Sequence, residues 1–211
     1  MQRGRKNEMR RKFTSQYRTE LKEKIIQSAI ENFAQNGFDR TRMEDIATAA
    51  GLAKGTLYLY FKSKEALFYA ICEHNLEELR NQLYRLFSSK ENIIIDAERF
   101  YDEYQKARLG TDTIWFEMIA LSTRSPKLRK ILAENHTKVY QVVKDFLKTQ
   151  IERGYLREDI HIEVIASGLI ALYNGLAVNK ILLQTSNYES QKVWIETIRA
   201  IIGGGGGAAK Q

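Results

Sequence analysis

A chain of 211 residues with a single proline, Pro126, and almost no alternating apolar and polar runs has little with which to build a sheet. Strands require period-two patterning bounded by turn residues, and that punctuation is missing. What recurs instead is apolar spacing of three and four. Ile25, Ile26, Ala29, Ile30, Phe33 and Ala34 fall on one stripe of a helix expected over 17–36, with Gly37 ending it and Phe38 turning the chain back onto that stripe. The expected fold is all-α. A hydrophobic content of 44% suffices for one or two cores, and 28% charged residues suit a soluble globular chain.

Residues 41–61 narrow the fold further. Met43, Ile46, Ala47 and Ala50 recur at helical spacing, Gly51 supplies a left-handed stop, and Leu57 and Phe61 give a second short helix one apolar face. This is a helix-turn-helix in outline. The outward face of its second helix carries Lys54, Gly55, Thr56 and Tyr58, groups able to approach a groove floor or a phosphate. A helical hairpin with a solvated face is the alternative. Thr41 is expected as an N-cap, with Glu44 three residues on completing a capping box. Glu44 also suits a second role, accepting from a cytosine amino group, although its spacing favours the cap. Arg42, at the start of the same helix, is expected at a phosphate or base.

Charge points the same way. Residues 1–64 hold 14 Lys and Arg against 7 Asp and Glu, a net of +7, and that is the formal charge of the whole chain; the rest balances. A basic segment around a helix-turn-helix is the footprint of phosphate contact. Arg3, Arg5, Lys6, Arg10, Arg11, Lys12 and Arg18 lie ahead of the first apolar stripe, so 1–15 is expected as a flexible basic arm suited to phosphates or the minor groove; a merely solubilising terminus fits equally. Downstream, Ser63 is placed to cap a long helix toward Phe87, and Lys64 stands beside its first amides, an arrangement suited to a DNA phosphate.

With these residues in place, the run 25–68 resembles the DNA-binding domain of the TetR family of transcription regulators. The signature comprises Phe33, Gly37, Phe38, Thr41, Asp45-Ile46-Ala47, Ala50-Gly51, Lys54-Gly55-Thr56-Leu57-Tyr58, Tyr60-Phe61 and Lys62-Ser63-Lys64-Glu65 with Leu67-Phe68. The resemblance implies a three-helix DNA-binding domain, here 16–62, and a larger all-α ligand-binding and dimerisation domain, here 63–202. It further implies double-stranded operator DNA as partner, with repression relieved by a small molecule. It puts Lys54, Gly55, Thr56 and Tyr58 in or beside the major groove, and Tyr60 and Lys64 near phosphates. One departure is Ala53, where the family often has a serine or threonine cap.

Past residue 68, helices are expected over 93–108, 111–123, 126–153, 162–184 and 188–202. Aromatic residues at helical spacing belong first to a core, but helix bundles also hold ligands between such helices. Trp115, Met118, Tyr140, Tyr173 and Asn174 are the expected lining of a site for a small hydrophobic effector. In the last two helices, Ala166, Gly168, Ala171, Gly175 and Ala177 permit close helix approach, and Leu169, Leu172, Leu176, Ile181, Trp194, Ile198 and Ile201 supply apolar area. This pair is expected to form a homodimer whose two recognition helices read a palindrome. The glycine-rich 203–211 is expected to be a disordered tail.

Other function classes find less support. His74, His136 and His161 lie far apart, outside any metal or triad pattern, and no Gly-rich phosphate loop exists, so no enzyme, metal or cofactor is expected. One cysteine, Cys72, and an N-terminus without a secretory pattern fit the cytoplasm. The stretch 164–183 is long enough for a membrane span, but Asn174, Asn179 and Lys180 interrupt it, and a buried helix is expected. The competing reading is a helical protein that holds anionic lipid through the basic arm without sequence-specific DNA binding.

Overall fold

The structure, a computed structural model, describes the backbone of residues 2–87, 89–108 and 111–203, and the side chains of those from residue 16 onward except that of residue 107. Among the described residues there are nine helices and no strand: α1 Gln2–Asn36, α2 Met43–Ala49, α3 Lys54–Tyr60, α4 Lys64–Leu86, α5 Ile93–Ala107, α6 Thr111–Ser122, α7 Pro126–Glu152, α8 Ile162–Leu183 and α9 Asn187–Gly203. Residues 204–211 of the expected tail lie outside the described residues.

Most helix bounds follow from local chemistry. Gly37, Gly51 and Gly154 take φ of 80°, 68° and 70° one or two residues beyond the helices they end, a left-handed conformation that other residues adopt at a cost. Pro126 opens α7, where its missing N–H costs nothing. The start of α1 differs from expectation. Its helical backbone reaches back to Gln2, through the segment expected as a flexible arm. Arg, Lys, Gln, Glu and Met favour helix by propensity even where no apolar face exists, and no proline interrupts the run.

The chain divides into two compact units, residues 1–73 with 110–132, and 74–109 with 133–211. The helix-turn-helix therefore shares its unit with α6 and the first part of α7, segments that the sequence places in the larger domain. In this unit Ile25, Ala29 and Phe33 of α1, Ile46 of α2, Leu57 of α3, Leu67 and Phe68 of α4, and Ile114 and Met118 of α6 form one buried core. Phe38 closes it, its ring 5.1 Å from Phe33 and 6.4 Å from Phe68.

The second unit packs α5 against α9, and α8 against α9. Phe100, Tyr101 and Tyr104 of α5 meet Tyr173 of α8 and Trp194 of α9 in an aromatic cluster, with Phe100 and Tyr104 stacked at 5.3 Å and Tyr104 and Tyr173 tilted at 5.0 Å. Trp194 donates its indole N–H to the Ala97 carbonyl at 3.1 Å, which satisfies the one polar atom of that buried side chain. The buried helix expected near 164–183 is corrected. Ala166, Tyr173, Leu176 and Ala177 are buried on α8, but Val164, Gly168, Ala171, Gly175 and Leu182 follow one another along a face left exposed in the single chain. By length and composition alone, α8 is long and apolar enough to cross a membrane.

Candidate nucleic-acid interface

The reading head is set by the turn between α1 and α2. Gly37 enters it at positive φ, and the Phe38 N–H donates to both carboxylate oxygens of Glu117 on α6, at 2.9 and 3.0 Å. On the other side of the same residue, the Lys64 ammonium donates to the Phe38 carbonyl at 2.6 Å and the Asp39 carbonyl at 3.0 Å, and lies 4.8 Å from the Phe38 ring centre. Two opposite charges from two other helices thus grip one turn. Hydrogen bonds to ionised groups are the stronger kind, so the turn is fixed firmly by few contacts.

Thr41 is not the N-cap of α2. It is buried, and its hydroxyl donates to the Gly37 and Asn32 carbonyls at 2.7 and 3.1 Å, tying the turn to the end of α1. Arg42 takes the cap position, and the Asp45 carboxylate accepts its N–H at 3.0 Å, so Asp45 fills the reciprocal role expected of Glu44. Glu44 instead pairs with Lys54 of α3. A hydrogen bond from Lys54 holds the Glu44 carboxyl below its ordinary range, and the same bond raises the Lys54 ammonium. Both groups are solvent-exposed, so the pair orients side chains more than it stabilises the fold.

Beyond the pair, α3 starts without a side-chain cap at Ala53; the Ala53 carbonyl accepts from the Thr56 and Leu57 amides at 2.9 and 3.2 Å. Leu57 is buried, whereas Lys54 and Gly55 are exposed. Thr56 is half-buried, and Tyr58 and Tyr60 lean on the core with their rings partly exposed. Lys62 donates to the Tyr58 carbonyl at 2.7 Å. Ser63 accepts the Ala66 N–H at 3.3 Å as the cap of α4, and its hydrogen bond to Glu65 holds that carboxyl below its ordinary range. Arg42 is exposed, Glu44 and Lys54 meet, and Lys64 faces the α1–α2 turn.

Two residues of this region were not singled out from sequence. Glu117 lies 79 positions from Phe38, and nothing local to either marks the bond. Leu59 was legible: it falls off the Leu57–Phe61 stripe, and it is 77% exposed on α3.

The residues expected to line an effector site divide between the two units. Trp115 and Met118 belong to the core beneath the helix-turn-helix, Met118 fully buried. Tyr140 and Tyr173 belong to the core of the second unit, with Asn174 half-buried beside Tyr173 along α8.

The pattern extends beyond these elements. Residues 25–71 match the family model for bacterial regulatory proteins of the tetR family, and residues 104–202 match that for the BetI-type transcriptional repressor, C-terminal. The chain belongs to the TetR family. It is a helix-turn-helix transcription regulator, in a family of DNA-binding proteins rather than enzymes. It is 26% identical over 184 residues to the HTH-type transcriptional regulator UidR of Escherichia coli, covering 86% of this chain and 90% of that protein. It is 27% identical over 172 residues to YerO of Bacillus subtilis, covering 66% of this chain and 59% of YerO, less than two thirds of that regulator's length. Among solved structures, a TetR-family regulator from Rhodococcus superposes with a TM-score of 0.75 at 19% identity, over 87% of this chain and 99% of that one. FadR of Bacillus subtilis, in complex with stearoyl-CoA, does so with a TM-score of 0.67 at 18% identity, over 86% and 97%. At these identities the two structures establish the fold.

Proposed function

We propose that this TetR-family regulator is a homodimeric repressor that occupies a palindromic operator and is released from it by a small hydrophobic effector. The observation that carries the dimer is the open face of α8. Val164 and Leu182 are exposed along it, and a Cβ added at Gly168 or Gly175 would meet nothing within 4 Å. An apolar helix face with room for a second backbone suits a copy of itself, and a twofold dimer of a helix-turn-helix protein reads half-sites about one turn of DNA apart, roughly 34 Å. Anionic lipid is the rival occupant of a basic, apolar-faced chain.

At the operator, Arg42, Thr56 and Tyr58 supply contacts to bases or phosphates, Gly55 allows close approach, and Tyr60 adds a phosphate contact. Lys64 acts chiefly through the turn it grips. Glu44 aims Lys54. Of the expected lining residues, Tyr140, Tyr173 and Asn174 share the second unit, and the effector is expected there; the stearoyl-CoA held by FadR supports a ligand with a long apolar chain. Effector and operator oppose one another with a coupling of about 1 to 3 kcal/mol, felt equally by both. Such a role belongs in the cytoplasm.

The test selects binding sites from a random duplex pool with the full chain, then titrates the enriched duplex in the presence of anionic phospholipid vesicles. Inverted half-sites, a dimer by sedimentation, retention in lipid and release by stearoyl-CoA are the expected results. Vesicles that displace the chain from every duplex alike would overturn the operator reading.

A further inference from the structure

We propose that Leu59, with Gly55 one turn before it, is the specificity-determining strip of the recognition helix, and that it reads the 5-methyl group of a thymine in each half-site. The proposal rests on the operator-binding reading above. Residues 55 and 59 are four apart on α3 and share a face, roughly opposite the buried Leu57. Both are unfavourable choices for the free protein. Leu59 leaves 77% of its surface in water, where a polar residue would serve a soluble helix better. Gly55 lies in the helix, where glycine is weaker than alanine, yet a Cβ there would meet nothing within 4 Å and its φ is not positive. Nothing inside the chain requires either residue, so the requirement lies outside.

The chemistry of the strip selects its target. It holds no donor and no acceptor beyond the helix backbone, while Lys54, next to Gly55 in the chain, is already paired with Glu44. In the major groove nearly every feature of a base edge is a donor or acceptor, and an isobutyl group set against one leaves it unsatisfied. The thymine methyl is the apolar exception. Gly55 then lets the helix backbone come close enough for Leu59 to cover that methyl.

The experiment uses the duplex enriched by the full chain, with each thymine replaced in turn by deoxyuridine, which removes only the methyl. Wild type should lose about fourfold in affinity at one thymine per half-site, the worth of one buried methyl. Leu59→Ala should bind thymine and deoxyuridine alike there, with an unchanged salt slope because no charge is altered, and Leu59→Met should keep the discrimination. Gly55→Ala should raise the melting temperature while weakening operator binding on the order of tenfold. The inference fails if every deoxyuridine affects wild type and Leu59→Ala equally, or if Gly55→Ala binds as wild type does. A pool that yields no enriched sequence would overturn operator recognition itself, a different and separable failure.

Discussion

Replacing Glu117 by alanine tests whether a single carboxylate on α6 fixes the DNA-reading head. In the folded chain the Phe38 N–H has both Glu117 oxygens as acceptors, at 2.9 and 3.0 Å, and Phe38 itself is buried between Phe33 and Phe68. Truncation removes a hydrogen bond to an ionised group, worth about 1.5 to 3 kcal/mol. Taking 2 kcal/mol as a working figure, a chain of this length should melt about 4 to 8 °C lower. Glu117→Gln keeps one acceptor without the charge and should fall about midway. Far-UV circular dichroism melts and urea midpoints give the global figure, and amide hydrogen exchange gives the local one. The Phe38 amide should lose about ten- to a hundredfold of its protection in Glu117→Ala, whereas amides in α9 should change only by any fall in global stability. The reasoning is refuted if the variant melts like wild type and the Phe38 amide keeps its protection, because water would then be replacing the carboxylate at no cost.

Four further outcomes follow from the same geometry. Lys64→Ala should lower stability as well as operator affinity, because the ammonium holds the Phe38 and Asp39 carbonyls; an unchanged melt with weaker DNA binding would mean that it acts on phosphate alone. Glu44→Gln should free Lys54 and steepen the dependence of log affinity on log salt by up to about 0.9, read from titrations at several salt concentrations. Since Lys54 holds the Glu44 carboxyl below its ordinary range, that group stays ionised near neutrality, and wild type should gain the same steepening only at pH below the ordinary carboxylate range; a change between pH 6 and 8 would count against the pair. Gly168→Leu with Gly175→Leu should leave the single chain folded and break the dimer, as sedimentation would report, and a dimer that survives would remove α8 from the interface.

The helices were legible in the sequence because each carries its own signal: a stripe at three and four, a glycine stop at Gly37, Gly51 or Gly154, a serine or proline start at Ser63 or Pro126. The start of α1 was not, since charged residues without an apolar face favour helix by propensity alone, and propensity marks no boundary. At the interface, residue identity was legible but pairing was not. The spacing of Glu44 from Thr41 suits a cap, yet the helix starts one residue later with Arg42 as its cap, which makes Asp45 the third helical residue and leaves Glu44 for Lys54 across the turn. Lys64 looked like a phosphate ligand because its partners are backbone carbonyls, groups that every residue carries and no sequence distinguishes.

The two ways of dividing this chain disagree over α6, and the disagreement says where a signal would be felt. By sequence, α6 falls within the BetI-type C-terminal match, residues 104–202; by packing it belongs to the unit that holds the helix-turn-helix. Ile114 and Met118 are buried in the core that α1, α2 and α3 share, and Glu117 stands between them in sequence with its carboxylate on the α1–α2 turn. Displacement of α6 by about 1 Å in the direction of those 2.9 and 3.0 Å bonds would carry them beyond hydrogen-bond length unless the turn moved with it. Under such a displacement the turn would either follow α6 or part from it, and either would change the footing of α2. If the proposed release by stearoyl-CoA holds, adding it to the operator complex should change protection of the Phe38 amide in step with DNA release. In Glu117→Ala the two should separate: DNA affinity would be lower from the outset and the further loss on adding stearoyl-CoA smaller. Equal effector responses in wild type and Glu117→Ala would show that the signal reaches the reading head by another route.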